Sequence, residues 1–592
     1  MTRPGISAVA AREVAWVRGE PAMLILLLVV PVLAFVLLSA TFSNAVIRDL
    51  RVDVVDADGS PTAQEFIQLI DAAPGIAVDR RSPDLSGAMR AVRSGDAIAA
   101  VYIPQNLERD LLAGRRPQIV TFYNRQFLTP GNIAASGLQS ALTAAVTDLP
   151  RAAGAGHRAK GSILVERYVL SNPALNYAQF LLRALLPTVV HVVAAIAGAV
   201  AIGSEFGRKR GFDRWMAAAG GSPLAALVGK LAPYLGLLIV LMAVASVILH
   251  GVFGVPFRGD ALLTVVGAFV FVAGYLAIGA FLVLLARNLA FGLSLVGIVC
   301  SPAFGFAGVG FPILGMSGFP KVWSALLPLR WYLRLLFDQA AFGAPPRQSI
   351  PSLLALAALA LAFGALACWR LRAVAAAPPV RPVPVAEPPR GPGIGGAFVF
   401  EWRRVLGDSG AFALIVIAPL IYGIFYPQPY LGQLIRDVPI AVVDDDRTEF
   451  SRQFVQALDV HESLVVAERP ATLAEAEAAV AARRVYGVVG IPAGTEREIL
   501  RGQPARIPAY VDATYFLLNS RVTQGINEAA AALQAETASG PARPDGAAAR
   551  AAFAQSAPVE LLSQPLYNPT GAYASYVVPA AFVLILQQTL IM

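Results

Sequence analysis

SEFGRKRGFDRWMAAAGGSPLAALVGK, residues 204–230, is a charged, glycine-punctuated segment set between apolar runs long enough to cross a bilayer. Arg208, Lys209, Arg210, Arg214 and Lys230 give it five basic residues beside those runs. Basic residues concentrate on the cytoplasmic side of membrane proteins, so the segment is expected to face the cytoplasm, within reach of a soluble partner. A loop that merely sets topology would carry the same charge. The rest of the chain separates the two readings.

Outward from this segment the chain is 56% hydrophobic and 15% charged, with a mean hydropathy of +0.61. That charged fraction lies well below the roughly 25% of ordinary globular domains, which predicts an α-helical polytopic membrane protein. The net charge of +8 does not point to nucleic acid, because the basic residues stand at the ends of apolar runs, where membrane orientation accounts for them. Cys300 and Cys368 both fall inside apolar stretches, and the four histidines show no ligand spacing, so no metal site or cofactor is expected.

In chain order, residues 1–20 read as a cytoplasmic interfacial helix and 22–42 as the first membrane helix, with Pro31 near its middle. Residues 46–175 have the composition of an α/β domain: RVDVVDAD at 51–58 alternates like a strand, and 97–104 and 118–123 read as two more. With the N-terminus inside, this domain is extracytoplasmic. The second membrane helix is expected at 179–203, the 204–230 loop follows, and 231–372 holds the third to sixth helices with a re-entrant segment at 318–343. Arg183 and His191 are the ionisable residues of the second run, Arg183 close enough to the outer boundary to snorkel. Residues 374–396 form a Pro/Gly-rich linker.

After the linker the chain starts again. A shift of 388 aligns Glu13 with Glu401, Pro31 with Pro419, Asp49 with Asp437, Asp56 with Asp444, Phe66 with Phe454, Glu108 with Glu496 and Gly137 with Gly525. One register held that long is an internal duplication. It predicts a second interfacial helix at 397–408, a seventh membrane helix at 411–430, a second extracytoplasmic α/β domain at 434–570 and an eighth membrane helix at 573–592. Later the shift becomes 396, pairing Asn172 with Asn568, Pro173 with Pro569 and Tyr177 with Tyr573, so Met592 stands where residue 196 stands in the first copy and counterparts of residues 197–372 are expected beyond the quoted sequence.

No nucleotide-binding motif is present. GGSPLAALVGKL at 220–231 has its first glycines too far from Gly229 and Lys230, and Leu231 replaces the Ser or Thr that would hold magnesium. With neither a phosphate loop nor carboxylates inside the membrane runs, a transporter must take its energy from a partner.

The pattern Glu205, Gly211, Leu224, Gly229, Lys230, Pro233 and Tyr234 resembles the cytoplasmic loop of ABC-2 type permeases, the membrane subunits of ATP-binding-cassette exporters. Phe212 stands where that family usually has Thr, and Ser222-Pro223 where it has Thr-Pro. Phe311, Pro312 and Leu327 to Tyr332 look like the family's segment before its last membrane helix. The resemblance implies a six-helix ABC-2 exporter half followed by a partial second half. It further implies a separate ABC ATPase dimer at the cytoplasmic face and outward transport across the cell inner membrane, with a periplasmic adaptor and membrane lipid as further partners and no nucleic acid. In that reading Glu205, Arg208, Arg210 and Asp213 offer charges to the ATPase, and Phe212 and Trp215 offer apolar contact. The competing readings are a proton-driven exporter and a non-transporting protein that binds the cell envelope or passes motion to it.

Overall fold

The computed structural model describes residues 3–583 apart from 43–46, 114, 116, 153–162, 173–175, 177, 209, 377–392, 432–434, 502, 504, 539–559, 569–573, 576 and 581. Most of the linker expected at 374–396 and of the helix expected at 573–592 lies outside the described residues. The chain divides into a helical unit, Met1–Ser43, Asn176–Leu431 and Val578–Met592, and an α/β unit, Asn44–Leu175 and Gly432–Val577.

In the helical unit, α1 (Ile6–Arg18) precedes α2 (Pro21–Thr41), the first of six helices among the described residues that are long and apolar enough to cross a membrane. The next is α3 (Gln179–Gly203), followed by the short α4 (Gly211–Ala218). The remaining four are α5 (Pro223–Val252), α6 (Ala261–Ala286), α7 (Leu289–Phe306) and α8 (Pro346–Ala375). The segment expected as a loop over 204–230 therefore ends at Ser222. The Ser222 hydroxyl accepts from Ala225 N and Pro223 occupies the first turn, a start signal that makes residues 223–230 the first two turns of α5.

Other boundaries shift for equally local reasons. The fifth helix ends at Phe306, and Gly308 adopts a positive φ of 88°. Residues 318–343 form two helices, Gly318–Ala325 and Pro328–Leu336, and a π-turn over Phe337–Phe342. The run at 411–430 is helical over 409–425 and gives way to a 3-10 turn at Gln428–Tyr430. The prolines at 31 and 419 each follow a π-turn, Ile25–Val29 and Ala413–Ile417. A widened turn takes up the carbonyl that a proline cannot bond.

Bare backbone contact fixes the centre of this unit. A Cβ on Gly279 of α6 would stand 1.9 Å from the Ala195 carbonyl oxygen of α3, and one on Gly198 would stand 2.3 Å from that of Leu276. Ala194, Ala195, Ala199 and Ala201 are fully buried beside them, so small residues let α3 and α6 approach as membrane helices do where dispersion drives packing. Gly279→Leu is expected to destabilise the helical unit by about 3 kcal/mol, the upper end for overpacking. A melting temperature equal to wild type in detergent would show that the helices do not approach this closely.

Among the described residues the α/β unit holds two five-stranded sheets. The strands are β1 (Leu50–Asp56), β2 (Ile76–Arg81), β3 (Ala99–Ile103), β4 (Gln118–Asn124), β5 (Ile163–Ser171), β6 (Val438–Asp444), β7 (Leu464–Glu468), β8 (Gly487–Ile491), β9 (Ala505–Asp512) and β10 (Glu560–Leu566). Their spatial orders are β10-β4-β3-β1-β2 and β5-β9-β8-β6-β7, the same order in each sheet. Asp56 and Asp444 follow the same local logic: each Oδ1 accepts from the backbone N–H groups two and three residues on, closing the turn after its strand.

The expectation of one self-contained domain per copy needs correction at the edges. β5, from the first stretch of chain, pairs in parallel with β9, from Ile163 opposite Ala505 to Ser171 opposite Asp512. β10, from the second stretch, pairs in parallel with β4, from Glu560 opposite Gln118 to Leu566 opposite Asn124. Each sheet is completed by a strand from the other stretch of chain, and Pro565 is tolerated because β10 is an edge strand.

Candidate functional site

Residues 12–16 of α1, 205–215 around α4 and 226–234 of α5 converge on one buried cluster of charges. Val9 and Glu13, four residues apart and so on one face, are the buried residues of α1. That face lies on α5 at Gly229, where a Cβ would come 2.6 Å from the Ile6 carbonyl oxygen and 2.7 Å from the Val9 Cβ. Only glycine permits this approach, and it sets Glu13 against the next residue, Lys230.

Lys230 is fully buried, and its ammonium donates to Glu13 Oε2 at 2.6 Å and to Glu205 Oε1 at 2.7 Å. The Tyr234 hydroxyl, one helical turn on, donates to Glu13 Oε1 at 2.6 Å. Arg12 Nη2 donates to Glu205 Oε2 at 2.9 Å, and Arg208 Nη1 stands 3.5 Å from Glu205 Oε1. The Lys230 ammonium also lies 5.3 Å from the Trp215 ring centroid and 5.9 Å from that of Trp16, while the Arg208 guanidinium lies 4.7 Å from the Trp16 ring. Two carboxylates thus hold three cations, and aromatic faces take part of the remaining positive charge. Because α1, the 204–222 segment and α5 each contribute a charge that the others neutralise, the three elements are bound into one body.

Glu205 records the balance of these forces. Burial alone would push its carboxyl up, but the Arg12 hydrogen bond and the Lys230 charge outweigh burial and hold it below its ordinary 4.5. A carboxylate depressed in the folded state contributes stability that is fully present above its unfolded value and lost as the pH falls through the folded one. The stability difference between wild type and Glu205→Gln is therefore expected to be constant from neutrality to about pH 5 and to shrink below it. Thermal unfolding across that range measures it, and a difference independent of pH down to 3 would contradict an ionised Glu205.

The six residues expected to meet a partner divide by exposure. Arg210, just before α4, and Asp213 on it are exposed, beside Arg214. Arg208 is partly covered by the cluster, and Phe212 is half-buried between Phe206 at 4.9 Å and Trp215 at 5.6 Å. Glu205 and Trp215 are not available to a partner: they are 1% and 0% exposed, and the Trp215 indole N–H donates to the Ala226 carbonyl at 3.1 Å. Trp215 anchors α4 to α5, and Gly5 N donates to the Ala218 carbonyl to tie α4 to the start of α1.

Glu13, Arg12, Trp16, Lys230 and Tyr234 were not singled out as site residues by sequence. Two signals pointed to part of the set: Glu13 recurs as Glu401, and Lys230 and Tyr234 fall in the quoted motif. Neither indicated that they meet. Glu401 is exposed and pairs with Arg404 at 3.3 Å. Among the described residues no group of His, Cys, Asp and Glu is arranged to hold a metal ion.

A family model described as ABC-2 family transporter protein matches residues 21–369 and 410–592. No curated protein and no solved structure matches the chain.

Proposed function

The chain belongs to the ABC-2 family of transporter proteins, and from that premise we propose that it is an exporter permease driven by a separate ATPase dimer docking against the exposed face of α4. It is an integral membrane protein and a membrane permease of an ABC transporter. The observation that carries the proposal is the buried cluster, which makes α4 rigid with α5 and α1. A push on Arg210, Asp213 or Arg214 is then transmitted to a membrane-spanning helix instead of being absorbed by a slack loop. The face carrying α4 is cytoplasmic in this reading, the N-terminus is inside, the membrane is the cell inner membrane, and the α/β unit lies outside, where an adaptor would meet it. The matching strand orders of the two sheets favour a tandem duplication.

A proton-driven exporter is the weaker reading. Asp and Glu are absent from the six spans, and His191 is 1% exposed, with Nε2 on the Cys300 carbonyl at 3.2 Å and its ring edge-on to Tyr275. That is a packing environment without a proton path.

Co-expression with an ABC ATPase, which the neighbouring reading frame is expected to encode, tests the proposal. The double variant Arg210→Glu/Arg214→Glu should lower ATPase co-purification about tenfold, as reversed interface charges do, and leave membrane insertion intact. Undiminished co-purification would remove α4 as the docking element.

A further inference from the structure

The helical unit contains a cavity of about 220 Å³ between α2, α3 and α5, at the end of α3 remote from the buried cluster. Its walls are apolar, with Phe35, Leu186, Val190 and Leu241 among them. Val32, Val36 and Val244, also in its lining, are each about half exposed, so its mouth opens on the apolar outer surface of the helices, which faces lipid.

One end of this cavity carries a cation. Arg183 lines it, is 2% exposed, and donates from Nη2 to the Pro256 carbonyl at 2.9 Å; its buried Nε has no partner among the described residues. The Arg183 side chain does not reach solvent. Among the described residues no carboxylate forms an ion pair with Arg183, and Arg258 adds a charge of like sign. A guanidinium has five donors in a planar fork, and burying one with so few acceptors is costly until an anion completes it. Arg183 stands 20 positions before Gly203, the end of α3, about 30 Å at 1.5 Å per residue, the thickness of a bilayer's hydrocarbon. The cation is thus at the level where lipid headgroups meet acyl chains.

We propose that this cavity binds a membrane phospholipid with an acidic headgroup, its phosphate on Arg183 and an acyl chain lying between α2, α3 and α5. A planar fork on a phosphate makes two parallel hydrogen bonds, and the neighbouring Arg258 adds to the positive potential. A zwitterionic lipid would bring a second cation into a site already positive. This inference does not depend on ATPase docking, and either can fail alone.

The test purifies the full chain in mild detergent with phosphatidylglycerol or phosphatidylcholine of identical acyl chains and counts retained lipids by native mass spectrometry. Wild type should retain phosphatidylglycerol about tenfold better than phosphatidylcholine, whose phosphate makes the same contact but whose choline brings a second cation beside Arg183 and Arg258. Arg183→Gln should abolish that preference, Arg183→Lys should keep part of it, and Ala245→Trp, which fills the cavity, should reduce retention of both lipids. Equal retention of the two lipids by wild type overturns the proposal, and needs no variant to fold. An undiminished preference in Arg183→Gln overturns it too, as does displacement of phosphatidylglycerol by inorganic phosphate alone or a stronger retention of oleate.

Discussion

Lys230→Met should lower the stability of the purified protein by about 3–5 kcal/mol, the usual cost of removing one partner from a buried ion pair. The variant keeps the length and apolar stem of the side chain, so what it removes is the charge. Glu13 and Glu205 are then left facing each other, Glu13 with the Tyr234 hydroxyl and Glu205 with Arg12 and Arg208. Thermal unfolding in detergent measures the loss, and a melting temperature equal to wild type would mean that the cluster does not hold α1 to α5. The triple variant Glu13→Gln/Glu205→Gln/Lys230→Met should be less destabilised than Lys230→Met alone, because residues in contact are not additive and the uncompensated charges are gone. It should nevertheless fail in transport, since α4 would no longer be bound to α5 by charge. A stable triple variant with full transport would separate the cluster from coupling.

The second large effect concerns the exchanged strands. Arg167 and Ala509 are register partners on adjacent strands β5 and β9, within the Cα separation a disulfide tolerates. With Arg167→Cys and Ala509→Cys, and a protease site inserted in the linker sequence at 377–392, oxidation followed by cleavage should leave a single full-length band on a denaturing gel. Reduction should release two fragments. Before cleavage the oxidised protein should run as a monomer, because β5 and β9 belong to one chain. Two fragments without reduction, or an oxidised dimer before cleavage, would show that the strand pairs elsewhere. The native Cys300 is buried and Cys368 is partly covered, and neither lies in the α/β unit, so both can be replaced by Ala as a control.

The sequence by itself determined the elements whose evidence is local. Uninterrupted apolar runs located the six helices of membrane-spanning length, since lipid admits only segments that satisfy their own backbone. Alternation located β1, short apolar runs located β3 and β4, and the repeat that aligns Asp56 with Asp444 carried the reading of β1 to β6. What it left open were the partners. β5 and β10 pair with strands more than 300 residues away, and the two sheets have the same strand order, so nothing in either strand's alternation says which edge it will complete. A period of two assigns side chains to faces and is silent about neighbours. Lys230 shows the same limit for charge. In the sequence it was one of five basic residues beside a membrane helix; in the fold it is buried and donates to a glutamate 217 positions away. Its desolvation is tolerable only because Glu13, Glu205 and the close approach at Gly229 arrive together, and that coincidence of three distant segments exists only in the tertiary structure.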